Sequence, residues 1–164
     1  MSFTKNNYKN LTFKLMKFKD FAESPDFLKL LSHYVKYSAN PEFPPTMDLD
    51  FKPMIEAYCL QEERGRLLCL AVMDGQSYVG FAALILPNYG HLGVSIAFVD
   101  MWFILEAYKG FGTKMFFKIK QIAREMGCKG VIFSAPTGSA LAKKLARVGV
   151  PTDSQYWISL QGRF

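Results

Sequence analysis

The sequence has few of the residues that build metal centres and disulfide frameworks. It contains two histidines and three cysteines among 164 residues, and none of them stand at the spacing of a zinc site. Cys59, Cys69 and Cys128 are odd in number and far apart in sequence, which argues against a set of paired disulfides. We therefore expect packed thiols and no bound metal.

Long apolar runs are also missing. Two of the longest, residues 79–87 and 96–105, contain glycine, aspartate or proline and are shorter than the ~20 apolar residues of a membrane helix. The first ten residues are polar and contain no apolar signal core. These features predict a soluble, cytoplasmic protein with no membrane partner.

What is present is typical of a folded globular chain. Half of the residues are hydrophobic and 21% are charged, and the length suits one domain over residues 1–164. The net charge is +6, with lysines near the start and along one predicted helix. A solvated helix face is one explanation of this charge, and attraction of a phosphate-bearing cofactor or of nucleic acid are two others.

Hydrophobic periodicity predicts an α/β chain around a mostly antiparallel sheet. The predicted strands are residues 11–18, 66–73, 77–86, 94–105, 130–134 and 155–160, with an Asp74-Gly75 turn between the second and third. The predicted helices start after Ser24-Pro25-Asp26 and at Asp48, and then cover residues 111–126 and 139–148. Residues 87–91 are predicted to be a loop, and the apolar residues 130–134 to be a strand buried in the sheet centre.

The segment that indicates chemistry is the turn between the long strand and the strongest helix. Gly110 and Gly112 stand at this junction, where free backbone N–H groups at a helix N-terminus can bind phosphates. A tight turn without a ligand would also use glycine. The segment does not fit a dinucleotide-binding fingerprint, because a third glycine is absent.

The whole order of predicted elements, together with this turn, resembles the GNAT superfamily of N-acetyltransferases, as a divergent member. The cofactor motif of that family, Q/R-x-x-G-x-G/A, aligns with residues 107–112. Gly110 and Gly112 match both of its glycines, and Ala107 stands at the leading Gln or Arg. The resemblance implies a sheet of about six to seven strands, splayed between the fourth and fifth strands and flanked by about four helices.

The resemblance also implies acetyl-CoA as co-substrate and assigns it a binding segment. The amides of the glycine turn would bind the pyrophosphate, and these belong to Lys109, Gly110, Phe111, Gly112 and Thr113. The pantetheine arm would lie in the splayed gap along the backbone of Trp102, Phe103, Ile104 and Leu105. A backbone N–H there would stabilise the thioester oxygen as it becomes an oxyanion. The tyrosine that in many GNAT enzymes protonates the leaving thiolate is absent, since its place falls on Leu145.

Candidate catalytic residues lie on or beside the central strands. Asp100 interrupts an apolar strand, where burial would raise the pKa of its carboxyl and suit it to proton transfer from an ammonium; it would otherwise be an aspartate at a strand bulge. Glu106 precedes the glycine turn and is alternatively a solvated loop carboxylate. Ser134 could orient a water or bind the cofactor amide, or be a simple strand-end hydroxyl.

The acceptor is expected to be an amine of unknown type, held by aromatic side chains and a loop histidine. The candidates are Tyr34, Tyr89, His91 and Tyr156, although most aromatic residues in any domain belong to the core. Two alternatives to an amine acetyltransferase stay open. One is a nucleic-acid-directed enzyme of the same fold, and the other is a GNAT-fold binding protein that has lost catalysis. The chain would be a monomer or a homodimer.

Overall fold

The computed structural model describes residues 10–38, 52–86, 88–89, 93–135, 138 and 140–151. The chain divides into two compact units, Met1–Ser134 and Ala135–Phe164. The prediction of one domain over residues 1–164 stays a prediction.

The described part of the first unit contains six strands, four α-helices and a short 3-10 turn after the longest strand. The strands are β1 Leu11–Met16, β2 Leu67–Asp74, β3 Ser77–Ile85, β4 Asn88–Tyr89, β5 Val94–Ile104 and β6 Gly130–Phe133. The helices are α1 Phe18–Ala22, α2 Phe27–Ser38, α3 Lys52–Glu63 and α4 Gly112–Glu125, and the 3-10 turn is Glu106–Tyr108. The described part of the second unit contains one helix, α5 Ala140–Leu145.

The strands form one mixed sheet with the order β1-β2-β3-β5, in which β4 and β6 also pair with β5. All of these pairs are antiparallel except β5 with β6, which is parallel. The prediction of a mostly antiparallel sheet is therefore confirmed. The resemblance implied a splay between the fourth and fifth strands. The two-residue β4 adds one strand before the long strand, so in the structure these two strands are numbered β5 and β6.

Two apolar clusters cover the two faces of the sheet. On one face, α1, α2 and α3 bury a group of aromatic rings that includes Phe18, Phe21 and Phe27. On the other face, α4 inserts Met115, Ile119 and Ile122, a stripe at helical spacing. Phe81 and Leu84 of β3 are both buried but lie in different clusters, because side chains of a strand alternate between its faces.

The structure corrects several predictions. Phe18 does not continue the first strand but starts helix α1, where Glu62 accepts hydrogen bonds from the Phe18 and Lys19 N–H groups. Asn88–Tyr89 forms a short strand within the predicted loop. Strand β6 is half-buried rather than fully buried, and β5 is its partner in the described part of the sheet. The predicted helix start at Asp48 and the last strand, residues 155–160, lie outside the described residues.

Candidate functional site

The glycine turn lies between the end of β5 and the start of α4. Glu106–Tyr108 form one 3-10 turn after β5, and Gly110 then takes a φ of 106°. Only glycine adopts this region without strain, because a Cβ would clash with the neighbouring backbone. The backbone reversal at Gly110 lets the chain enter α4 immediately after the long strand.

The first turn of α4 offers backbone donors to a ligand. The Met115 N–H is donated to the Phe111 carbonyl at 3.1 Å, so the N–H groups of Gly112, Thr113 and Lys114 lie in the turn where an α-helix has no intrahelical acceptors. The first turn carries no acidic residue, and the helix dipole makes this end positive. A Cβ on Gly112 would meet no atom within 4 Å, so a ligand can approach its backbone. These residues fit a pyrophosphate.

Two aromatic residues fix the position of this turn. The Phe111 side chain is 3% exposed, and its ring stacks on Phe13 of β1 at 5.2 Å. The Tyr108 hydroxyl donates a hydrogen bond to the Asp74 carboxylate at 2.8 Å, which connects the turn to the β2–β3 hairpin. The exposed Lys109 and Gly110 therefore lie between two anchored positions.

The pairing of β5 with β6 ends before β5 does. The last pair is Val99 with Phe133, whereas β5 runs on to Ile104 beside β3. The Leu105 N–H is donated to the Val79 carbonyl of β3 at 2.9 Å. Because antiparallel bonding alternates along a strand, the backbone polar groups of Trp102 and Ile104 point to the opposite edge, where β6 has ended. This edge has the arrangement expected for a splayed gap.

The indole of Trp102 lies at the same edge. Its ring packs against Phe133 at 5.2 Å, and its buried Nε1 has no hydrogen-bond partner among the described residues. Trp102 and Ile104 belong to the cluster under α4, whereas Phe103 packs in the cluster under α1–α3. Of the four residues predicted to line the pantetheine arm, Trp102 and Ile104 direct backbone groups to the edge of β5 that faces away from β3.

Asp100 is the extra residue of a β-bulge in β5. Ala83 pairs with Met101 and Leu84 pairs with Val99, so Asp100 is skipped in the register with β3. The hydroxyl of Tyr58, on α3, donates a hydrogen bond to its Oδ2 atom. Burial raises the pKa of the Asp100 carboxyl, because a charged carboxylate is disfavoured away from water.

Tyr58 was missed by the sequence analysis, although a signal was present. It follows Met54 by four residues and precedes Glu62 by four on α3, a spacing that places all three on one side of the helix. Met54 and Tyr58 pack in the core below α1–α3, and Tyr58 is 7% exposed. A tyrosine buried on such a face needs a partner for its hydroxyl.

The other two candidate catalytic residues are more open to solvent. Glu106 is exposed in the 3-10 turn, and Ser134 is exposed just beyond the end of β6. Asp100, Glu106 and Ser134 thus belong to three different elements, and Asp100 is the one that is partly buried.

Of the predicted acceptor residues, the structure describes Tyr34 fully. Its ring contacts Phe81 and Phe103 at 5.9 and 6.3 Å, and the His33 ring stacks on Phe103 at 6.5 Å. The backbone of Tyr89 pairs with Val94 in β4. His91, Tyr156 and the side chain of Tyr89 lie outside the described residues.

The two departures from the family motif are found in separate units. Ala107 is exposed in the 3-10 turn of the first unit. Leu145 ends α5 in the second unit, where its carbonyl accepts the Gly149 N–H at 2.9 Å. Neither residue supplies the side-chain contact that the motif provides at its place.

The described residues contain neither a metal cluster nor a helix that could cross a membrane. They hold no group of three or more His, Cys, Asp or Glu side chains able to bind a metal ion. In the same part of the chain, every helix is too short or too polar to cross a bilayer.

Solved acetyltransferase structures share this fold. A predicted acetyltransferase with acetyl-CoA from Clostridium acetobutylicum superposes with a TM-score of 0.66 at 15% identity, covering 92% of this chain and 96% of that one. A ribosomal-protein-alanine N-acetyltransferase from Brucella melitensis biovar Abortus 2308 gives 0.64 at 15% identity, covering 93% and 99%. An aminoglycoside acetyltransferase from an uncultured soil metagenomic sample, in complex with trehalose, gives 0.63 at 14% identity, covering 95% and 97%.

Sequence comparison gives the family itself. No curated protein matches the sequence significantly. The sequence model of the acetyltransferase (GNAT) family, however, matches residues 28–149, a span that runs from α2 through the long strand and the glycine turn to α5. The chain therefore belongs to the GNAT family of N-acetyltransferases.

Proposed function

We propose that the chain transfers the acetyl group of acetyl-CoA to a primary amine, with Asp100 as the general base. The observation that carries this proposal is the order in which three features follow one another along β5. The strand presents a partly buried carboxylate at its bulge, then two residues whose backbone faces the gap, and then the glycine turn. A thioester held along that edge would lie beside the carboxylate.

The pyrophosphate would bind at the N-terminus of α4. The N–H groups of Gly112, Thr113 and Lys114 would donate to its oxygens, and the missing side chain at Ala107 would leave the backbone to provide most of the contacts. Lys109 and Lys114 are both exposed beside the turn and add positive charge near the phosphates. The Lys114 ammonium also lies 5.4 Å from the Phe111 ring, which keeps it near the turn.

The gap edge of β5 would hold the pantetheine arm. Trp102 and Ile104 each offer one backbone N–H and one carbonyl to its amide groups, as a neighbouring strand would. The same N–H groups are candidates for stabilising the oxyanion as the thioester is attacked. The deprotonated amine attacks the thioester carbonyl of acetyl-CoA and forms the new C–N bond. The C–S bond of the resulting oxyanion intermediate then breaks, the coenzyme leaves as its thiolate, and this thiolate takes the second proton from the amine nitrogen.

Asp100 would prepare the acceptor. An amine arrives protonated at neutral pH and cannot attack until it loses a proton. The Asp100 carboxylate takes that proton directly or through one water, and its raised pKa brings it closer to the pH at which transfer occurs. The absence of a tyrosine at Leu145 is compatible with this chemistry, because a thiol with a pKa near ~8.5 can leave without full protonation.

The aromatic side chains on the same face as Asp100 would form the acceptor wall. Tyr34 and His33 each contact Phe103 there, and all three are half-buried. An aromatic wall beside a carboxylate suits a cationic amine, which interacts favourably with the face of a ring. Fold neighbours named for ribosomal-protein alanine and for aminoglycosides suggest the first acceptors to test.

Calorimetric titration with acetyl-CoA tests the cofactor site. Micromolar binding is expected in the wild-type protein and its loss in Gly110→Glu. Gly65→Glu is the matched control, because Gly65 is also exposed and also has a positive φ, of 66°, but lies in the α3–β2 turn. No heat of binding in the wild type, or equal loss in both variants, would contradict the proposed site.

An acetyl-transfer assay tests the reaction. Release of the free coenzyme thiol is followed with an alanine-starting peptide, an aminoglycoside and spermidine as acceptors. Turnover with one of them that is lost in Asp100→Asn supports the proposal. Binding of acetyl-CoA without turnover by any amine would favour the binding protein that has lost catalysis.

The nucleic-acid hypothesis predicts that basic residues line a groove leading to the gap. In the structure several lysines of α4 lie against neighbouring side chains. The Lys120 ammonium lies 5.3 Å from the Phe116 ring, and Lys118 donates to Gln121 at 3.3 Å. The hypothesis therefore still depends on net charge, and a steep loss of oligonucleotide binding with salt would be needed to support it.

A further inference from the structure

We infer that Tyr58 is a positioning residue, which holds the Asp100 carboxylate ionised and in a fixed orientation at the β5 bulge. The inference rests on the proposed role of Asp100 as general base. It places the residue that prepares this base on α3. The group that acts on Asp100 is a hydroxyl, donated to Oδ2.

The phenol of Tyr58 is held in place before any ligand binds. Its ring is 7% exposed and packs on Phe18 with ring centroids 5.0 Å apart. One turn further along α3, the Glu62 carboxylate accepts hydrogen bonds from the Phe18 and Lys19 N–H groups. Helix α3 is therefore tied to α1 beside the tyrosine, so little orientational freedom remains to be lost when the hydroxyl donates.

The bulge leaves Asp100 and Met101 on the same face of the sheet, the one that α3 covers. In a regular strand Asp100 and Met101 would point to opposite faces. Val99 packs under α4 and Met101 packs under α1–α3, so the bulge brings Asp100 to the same side as Met101. The carboxylate thereby faces the helix that carries Tyr58 and remains next to the gap edge of β5.

Two opposing effects then act on the proton affinity of Asp100. Burial favours the protonated carboxyl and raises its pKa, whereas a hydrogen bond donated to the carboxylate favours the charged form and lowers it. A general base must be ionised when the acceptor arrives. The Tyr58 hydroxyl supplies the effect that keeps the buried carboxylate charged.

Each element packed on this face of the sheet also carries titratable groups. They are Lys19 and Asp20 of α1, His33 and Tyr34 of α2, Cys59 and Glu62 of α3, Cys69 of β2 and Tyr78 of β3. Burial is the cause that raises the pKa of Asp100, with no charged neighbour contributing among the described residues. A change in the pKa of Asp100 after removal of the Tyr58 hydroxyl can therefore be attributed to the lost hydrogen bond.

Carbon-13 NMR of protein labelled at the aspartate carboxyl measures this directly and needs no acceptor. The Asp100 resonance is the one that disappears in Asp100→Asn, and its chemical shift is followed against pH. In Tyr58→Phe, which keeps the ring, the midpoint should rise by about one pH unit. Tyr78→Phe is the control, because it removes a hydroxyl from the same cluster and should leave the midpoint unchanged. An unchanged or lowered midpoint in Tyr58→Phe would overturn the inference.

The pH dependence of kcat/KM separates this inference from the proposed function. The acid limb should move to higher pH by the same amount in Tyr58→Phe, with the Kd for acetyl-CoA unchanged. In the Asp100→Asn background, Tyr58→Phe should have little further effect, since the two residues act as a unit. Full activity in Asp100→Asn would refute the base itself. Lost activity there with an unshifted acid limb in Tyr58→Phe would refute only the role of Tyr58.

Discussion

The hydroxyl of Tyr108 donates a hydrogen bond to the carboxylate of Asp74 across 2.8 Å, between the glycine turn and the end of β2. Tyr108 lies two residues before Gly110, whose φ of 106° reverses the chain. The hydrogen bond raises the pKa of the Tyr108 phenol, because loss of its proton would put two negative charges together. The β2–β3 hairpin thus supports the turn from outside.

Removal of the Tyr108–Asp74 hydrogen bond should weaken the binding of acetyl-CoA more than it weakens catalysis. Tyr108→Phe keeps the ring but removes the hydrogen bond, which is worth about 1 kcal/mol. We expect a Kd raised about threefold to tenfold, a Tm lowered by about 2–4 °C and an almost unchanged kcat. Asp74→Asn retains an acceptor and should lose less affinity. Calorimetry and thermal melts check both variants, and a lowered kcat with unchanged Kd would contradict the expectation.

A negative charge at the start of α4 should weaken cofactor binding without lowering the stability of the fold. A side chain on Gly112 meets open space, and an aspartate at a helix N-terminus is stabilising by about 0.3–1 kcal/mol. Gly112→Asp should therefore keep or raise the Tm, while its carboxylate repels the pyrophosphate and weakens acetyl-CoA binding at least tenfold. Ser32→Asp, an exposed charge change on α2, is the control. Unchanged affinity in Gly112→Asp would exclude a pyrophosphate at this helix end.

Asp100→Asn should stabilise the protein while it removes activity. Burial raises the folded-state pKa of Asp100 above the ordinary value of 3.8, so the native state holds this proton more tightly than the unfolded chain does. Stability is therefore lost as the pH rises from 3.8 through the raised pKa. The variant should have the higher Tm at neutral pH, and the difference should vanish below pH 3.8.

The loss of activity in that variant should be about a hundredfold or more, the usual effect of a general base. Thermal melts across this pH range and the thiol-release assay measure the two quantities. A Tm difference that is independent of pH would show that the ionisation of Asp100 is not its cause.

The three thiols should differ in reactivity. Burial and the nearby Glu62 raise the pKa of Cys69 to about 12, and its side chain is 1% exposed. Cys59 and Cys128 are half-buried, and burial raises the pKa of both. A thiol reagent should modify Cys59 and Cys128 slowly in the native protein and reach Cys69 only after unfolding. Mass spectrometry of the native and denatured protein tests this, and early labelling of Cys69 would contradict its burial.

Replacement of Cys69 also tests whether this thiol takes part in the reaction. Cys69→Ala should retain acetyl transfer, because direct attack of the amine needs no acyl-enzyme intermediate. A loss of turnover without a loss of fold would favour a covalent mechanism instead.

Local patterns were enough to predict most elements of the fold. The stripe of apolar residues in α4 and the alternation in β2 and β3 are periodic signals that survive in any folded context. The five-residue α1 and the two-residue β4 were missed, because elements that short have no period to detect. Phe18 was misassigned because its position at the start of α1 depends on a distant contact: Glu62, 44 residues away, accepts the hydrogen bond of its N–H.

The residues of the candidate site were likewise predicted only where a local pattern marks them. Asp100, Gly110 and Gly112 were identified from sequence because each is an unusual residue for its local pattern. Tyr58 and the Tyr108–Asp74 hydrogen bond were not, because both depend on pairs that are 42 and 34 residues apart in the chain. No local pattern relates such residues.

The sequence by itself thus determined the periodic helices and strands, the glycine turn and the family resemblance, since these follow from spacing within a few residues. Only the tertiary structure decided which carboxylate is partly buried, which hydroxyl donates to it and which backbone groups of β5 face the gap. Those properties arise from the β-bulge at Asp100, the register of β5 with β3 and β6, and the packing of α3 on the sheet. They depend on contacts between distant segments, which form only when the chain is folded.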